Sequence, residues 1–150
     1  MPTISLTTRI RGSAEDTFEA LTDLRGYGRW LDLSADYPGT VDITQGPVQA
    51  GTEYVERSRL GVRRGVVTAL RAPEHVVFHQ PMTLRPRFFG VIEIVVSYSV
   101  TPVDGSVALE RVVELTLPPV VRPFAPLILA RFRKESERTV RALKAFVETP

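Results

Sequence analysis

The stretch Val91–Leu117, VIEIVVSYSVTPVDGSVALERVVELTL, decides the fold. Two runs rich in β-branched residues, Val91–Thr101 and Ser106–Leu117, flank Val103-Asp104-Gly105, a turn that signals a hairpin. Side chains alternate along a strand, so Val107, Leu109, Arg111, Val113, Leu115 and Leu117 share one face, with Ala108, Glu110, Val112, Glu114 and Thr116 on the other. The first set is the core face, which points Arg111 inward among aliphatic neighbours. A guanidinium does not shed its proton, and burying it unpaired is costly. Arg111 must therefore meet a carboxylate, backbone carbonyls, water or an anionic ligand. Glu56 is the expected internal partner and Glu135 the alternative, whereas a β-bulge resetting the parity would release Arg111 to solvent.

Upstream, Thr3–Ile10 alternates as a half-buried strand. Ser13, with Asp16 three residues on, caps a helix that carries Phe18, Leu21 and Leu24 on one face and is stopped by Gly26 and Gly28. A short second turn through Trp30 and Leu31 follows. Strands are then expected at Thr40–Thr44, Thr52–Leu60, Val62–Arg71 and His75–Gln80, with the proline-containing stretch Pro81–Gly90 as a loop. After the Val91–Leu117 hairpin, the four prolines of Leu117–Pro126 predict an extended linker. One helix then runs from Leu127 to Val147, with Ile128, Phe132, Thr139, Leu143 and Phe146 on a shared stripe. Sequential hairpins give an antiparallel sheet that needs a cover for its apolar face, and only this helix is long enough. The expectation is a single α+β domain over residues 1–150. In it, a seven-stranded curved antiparallel sheet wraps the C-terminal helix, two short helices follow the first strand, and space is left between sheet and helix.

Composition narrows the function classes. A chain of 150 residues is the size of one domain, and 43% hydrophobic with 24% charged residues is that of a globule rather than a disordered chain. A net charge of +2 does not point to nucleic acid, and the late basic residues Arg131 to Lys144 are interleaved with Glu135 and Glu137 as on a solvated helix face. No apolar run reaches the length of a membrane span. The opening MPTISLTTRI has no signal layout, so a cytoplasmic location is expected. With no cysteine, thiol and sulfur-ligated metal chemistry are absent.

Few motifs carry chemistry. His75 and His79 on a strand lie about 13 Å apart at roughly 3.3 Å per residue, too far to share a metal. Glu110 and Glu114, separated in the same way, read as solvated carboxylates. No nucleophile elbow, P-loop or dinucleotide glycine pattern occurs. No metal, cofactor or catalytic residue is assigned. The aromatic residues Trp30, Tyr54, Phe78, Tyr98 and Phe132 fall on elements that should bound the interior space, and a buried phenol needs a hydrogen-bond partner. Arg85, Arg87, Phe88 and Phe89 share one loop. It reads either as a lid over a cavity mouth, as a patch for a membrane or partner, or as one phenylalanine in the core beside solvated arginines.

The motifs Ser13-Ala14-Glu15-Asp16-Thr17-Phe18, Leu21-Thr22-Asp23, Trp30, Gly51-Thr52-Glu53-Tyr54, Tyr98-Ser99-Val100-Thr101-Pro102 and Leu143-Lys144-Ala145-Phe146-Val147-Glu148 span nearly the whole chain. In that order the sequence resembles the START-like helix-grip (SRPBCC) superfamily, and within it the polyketide cyclase/dehydrase and lipid-transport group. The resemblance implies a hydrophobic tunnel between sheet and helix for lipids, sterols, polyketides or hormone-like molecules, and it transfers no catalytic residue. The leading expectation is a binder of a small apolar ligand, contacted by Trp30, Tyr54, Glu56, Phe78, Phe88, Tyr98, Arg111 and Phe132. A cyclase/dehydrase-type enzyme and a protein-interaction module are the alternatives. The expected partners are the ligand and a second copy of the chain in a homodimer.

Overall fold

In the computed structural model, which describes residues 2–34, 37 and 39–149, the long hairpin forms the middle of the sheet. Its strands β6 (Val91–Val103) and β7 (Ser106–Thr116) pair without interruption from Glu93 opposite Thr116 to Val103 opposite Ser106. Asp104 and Gly105 turn the chain, both with positive φ. The remaining strands are β1 (Thr3–Ile10), β2 (Glu53–Arg57), β3 (Gly61–Arg71), β4 (His75–His79) and β5 (Met82–Leu84). All pairings are antiparallel, in the order β1-β7-β6-β4-β3-β2, with β5 also lying between β3 and β6. Helix α1 (Ala14–Thr22) follows β1, and Ser13 caps it by accepting the Asp16 N–H at 3.0 Å. Helix α2 (Ala125–Glu148) covers the inner face of the sheet.

The expected seven-stranded antiparallel sheet and long C-terminal helix are present, but one strand is not where the sequence pattern puts it. Thr40–Thr44 makes only the isolated bridge of Val41 to Val55. The seventh strand is Met82–Leu84, inside the expected loop. It continues the line of β4 between β3 and β6, interrupted at Pro81, which has no N–H to give the ladder. The Pro81 carbonyl nonetheless accepts from Arg64 at 3.2 Å, so the strand resumes at once. Two further corrections concern turns. Gly26 and Gly28 lie within a 3-10 turn, Leu24–Arg29, rather than before it. The proline-rich linker is also not extended, because Pro119–Phe124 forms a 3-10 turn that leads into α2 at Ala125.

Inward-facing positions of β7 are buried at Val107, Leu109, Val113 and Leu115, which meet α1 residues Phe18 and Leu21 and the α2 residue Leu143 in one core. Each such fully buried aliphatic side chain contributes about 1.5–3 kcal/mol. The buried face of α2 consists of Ser136, Thr139, Val140 and Leu143, at helical spacing. Phe132 and Ile128 are half-buried beside it, while Phe146 is 39% exposed, so the apolar stripe turns away at its end. Two small hydroxyl residues thus face the sheet at the helix midpoint, which leaves a gap that larger aliphatic residues would have filled.

Candidate functional site

The gap is a cavity of about 70 Å³ bounded by β2, β4, β6 and β7, the 3-10 turn after α1, and α2. Tyr54 on β2, Phe78 on β4 and Tyr98 on β6 point into it as a row of edge-to-face rings. Their centroids lie 6.1 and 6.2 Å apart at interplanar angles of 81° and 85°. The row forms because all three are inward positions of strands spaced across the sheet. Tyr54 can lie this low because its partner across the β2–β3 pair is Gly65. A Cβ there would come within 2.2 Å of the phenol ring.

Arg111 faces the cavity, and the unbroken β6–β7 register excludes the bulge that would have released it. It stands directly opposite Tyr98, with its guanidinium carbon 5.3 Å from the ring centroid and Nη1 donating to the Tyr98 hydroxyl. Its Nε donates to Ser136 Oγ at 3.2 Å. The expected carboxylate partners are both engaged elsewhere. Glu56 Oε1 lies 3.1 Å from Arg63 Nε, its neighbour across β2–β3, and Oε2 accepts from Thr40 Oγ1 at 2.8 Å. Glu135 pairs with Arg138 at 2.7 Å, and Arg138 also reaches the Asp32 carbonyl. Among the described residues no carboxylate is within ion-pair distance of Arg111. The reason is one of register: Arg63, two positions into β3, sits opposite Glu56, and its guanidinium claims that carboxylate first.

The cavity is also more polar than the resemblance implied. Tyr27, Tyr37 and Gln80 line it besides the expected residues. The Tyr54 hydroxyl donates to Gln80 Oε1 at 2.7 Å, Tyr27 donates to the Leu21 carbonyl, and the Tyr37 hydroxyl lies 3.1 Å from Thr40 Oγ1. Burial pushes the Tyr27 and Tyr54 phenols well above their usual range, Tyr37 less so. These groups therefore stay protonated and serve as hydrogen-bond donors.

Of the expected site residues, Tyr54, Glu56, Phe78, Tyr98 and Arg111 come together on the cavity wall. Trp30 does not. It packs behind Tyr27 at a ring distance of 4.9 Å, with its indole N–H buried and unpartnered among the described residues. Phe132 lines a separate recess of about 20 Å³ with Leu60 and Met82, which shares only Arg63 and Glu135 with the main cavity. Phe88 is 75% exposed and is not part of the wall, while its neighbour Phe89 tucks against the core. His75 and His79 lie on the outer face with separate partners, Ser99 at 3.3 Å and Glu93 at 2.8 Å.

Known proteins share this arrangement of strands and helix. The chain is similar in fold to Aha1 from Colwellia psychrerythraea, solved in solution as a dimer, with 18% identity, 99% of this chain and 98% of that one covered, and a TM-score of 0.70. It is also similar to a START superfamily protein from Mycobacterium smegmatis, with 15% identity, 97% of each chain covered and a TM-score of 0.71. CalU16 from Micromonospora echinospora matches at 14% identity over 98% of this chain and 76% of that one, with a TM-score of 0.66. Among curated proteins no relative matches the sequence. The family model described as polyketide cyclase / dehydrase and lipid transport matches residues 1–148, and the chain belongs to that family.

Proposed function

We propose that the protein is a cytoplasmic binder of a small organic anion, a molecule with a compact apolar or aromatic body and a carboxylate, enolate or phenolate head. The observation that carries the reading is Arg111, a cation facing a cavity with hydroxyl partners and no carboxylate partner among the described residues. A charge-assisted bond from the rest of its five-donor fork to a ligand oxygen is shorter and stronger than a neutral one. The ring row Tyr54–Phe78–Tyr98 offers the flat apolar wall for the body. A volume of about 70 Å³ is well below the 300–1,000 Å³ common for drug-sized ligands. It therefore favours a single-ring or short-chain ligand over a long acyl chain unless the interior opens.

Native mass spectrometry of freshly purified protein tests this. The expected spectrum carries an adduct that leaves as an acidic small molecule. Protein that is bare, or that carries only neutral lipid, would overturn the reading.

A second reading, a cyclase/dehydrase-type enzyme, is favoured by one observation: the Arg111 guanidinium and the Tyr98 hydroxyl, which accepts from it and keeps its own proton to give, face the same space. Such donors stabilise an enolate oxygen as it forms. Turnover of a short polyketide-like thioester, lost in Arg111→Met and Tyr98→Phe, would support it over simple binding.

A further inference from the structure

We propose that the end of the molecule formed by the β5–β6 loop and the entry to α2 docks on an anionic lipid surface. The Gly90 backbone meets the Pro118 ring here, where an added Cβ at Gly90 would lie 2.9 Å from Pro118 Cβ, and Glu93 opposite Thr116 brings the two segments side by side. Four large apolar side chains are exposed on them: Phe88 at 75%, Val120 at 53%, Phe124 at 58% and Leu127 at 72%. Scattered exposed apolar residues need no explanation, but four on two adjoining segments do.

The charge of the same segments selects the partner. Among the chain's 17 acidic residues, none falls between His75 and Ile92 or between Leu115 and Lys134, whereas Arg85, Arg87, Arg122, Arg131 and Arg133 do. Apolar side chains set among cations match a surface that offers anionic head groups above an apolar layer. A second copy of the chain fits less well, because two such ends face to face would bring arginine against arginine. This inference is independent of what the cavity holds.

Vesicle co-sedimentation of the full chain tests it, with phosphatidylcholine alone against phosphatidylcholine carrying phosphatidylglycerol. The wild type should bind the anionic vesicles at least about tenfold better, losing that preference as salt rises. Arg85→Gln with Arg87→Gln should weaken binding by about fivefold per charge, and Phe88→Ser with Leu127→Ser by about tenfold. All four positions are exposed, so thermal unfolding should not change. Equal binding to both vesicle types, or variants that bind like the wild type, overturns the proposal. So does an absence of vesicle binding together with a dimer in light scattering that the same variants dissolve, since the patch would then be a self-interface.

Discussion

Replacing Gly65 with alanine tests how the aromatic wall is held. Gly65 sits on the inner face of β3 opposite Tyr54, and an added Cβ would lie 2.2 Å from Cζ and 2.5 and 2.6 Å from the two Cε atoms. Ordinary carbon contacts begin near 3.5 Å, so the ring must retreat by about 1.3 Å. Phe78 stands edge-on behind it, and the 2.7 Å bond from the phenol to Gln80 cannot survive a shift of that size. Overpacking costs about 1–3 kcal/mol and the lost hydrogen bond about 1 kcal/mol, offset by about 0.5–1 kcal/mol for removing a strand glycine. The net is a destabilisation of about 1–3.5 kcal/mol, read from the denaturant midpoint at constant m-value. In a Tyr54→Leu background the clashing ring atoms are gone, and Gly65→Ala should become neutral or mildly stabilising. An equal cost in both backgrounds would refute the contact as the cause.

Glu56→Gln should destabilise the fold by about 3–5 kcal/mol, because it removes the carboxylate charge that lies 3.1 Å from the Arg63 guanidinium, whose side chain is only 11% exposed. Glu56→Leu with Arg63→Met should restore most of the denaturant midpoint, and a double variant as unstable as the single one would contradict this. Raised phenol pKa values at Tyr27, Tyr37 and Tyr54 mean that the unfolded chain gives up these protons first. Stability is thus intact below about pH 10 and falls as pH rises beyond it. Phenolate absorbance should appear together with loss of the buried Trp30 fluorescence signal, and phenols that titrate freely in the folded protein would be inconsistent with the site.

Sequence pattern alone yields the hairpin, the antiparallel sheet, the gripping helix and the inward direction of Arg111, because strand parity and turn chemistry are local. It misses Met82–Leu84 because Pro81 looks like a loop, although a single proline at a break leaves the strand on either side free to pair. The partner of Arg111 was legible only indirectly. A hairpin turning at Ser58–Gly61 places Glu56 opposite Arg63, so the cross-strand charge pair was already in the sequence and Glu56 was spoken for. The Ser136 hydroxyl could also have been found, as a small polar residue on the inner stripe of α2 one turn before Thr139. Tyr27, Tyr37 and Gln80 carried no such signal, since their approach to the cavity depends on irregular backbone and on a strand end.

The central claim is that Arg111 selects a ligand by charge. Isothermal titration of wild type and Arg111→Met with benzoate and its neutral isostere benzamide measures this directly, with 2-naphthoate and 2-naphthamide setting the size limit. A hydrogen-bonded charge contributes about 1.5–3 kcal/mol, so the wild type should prefer each acid over its amide by roughly 10- to 100-fold. The variant should bind both alike, with its fold intact. A variant that keeps the wild-type preference, or a wild type that binds the amide as well as the acid, would contradict the account.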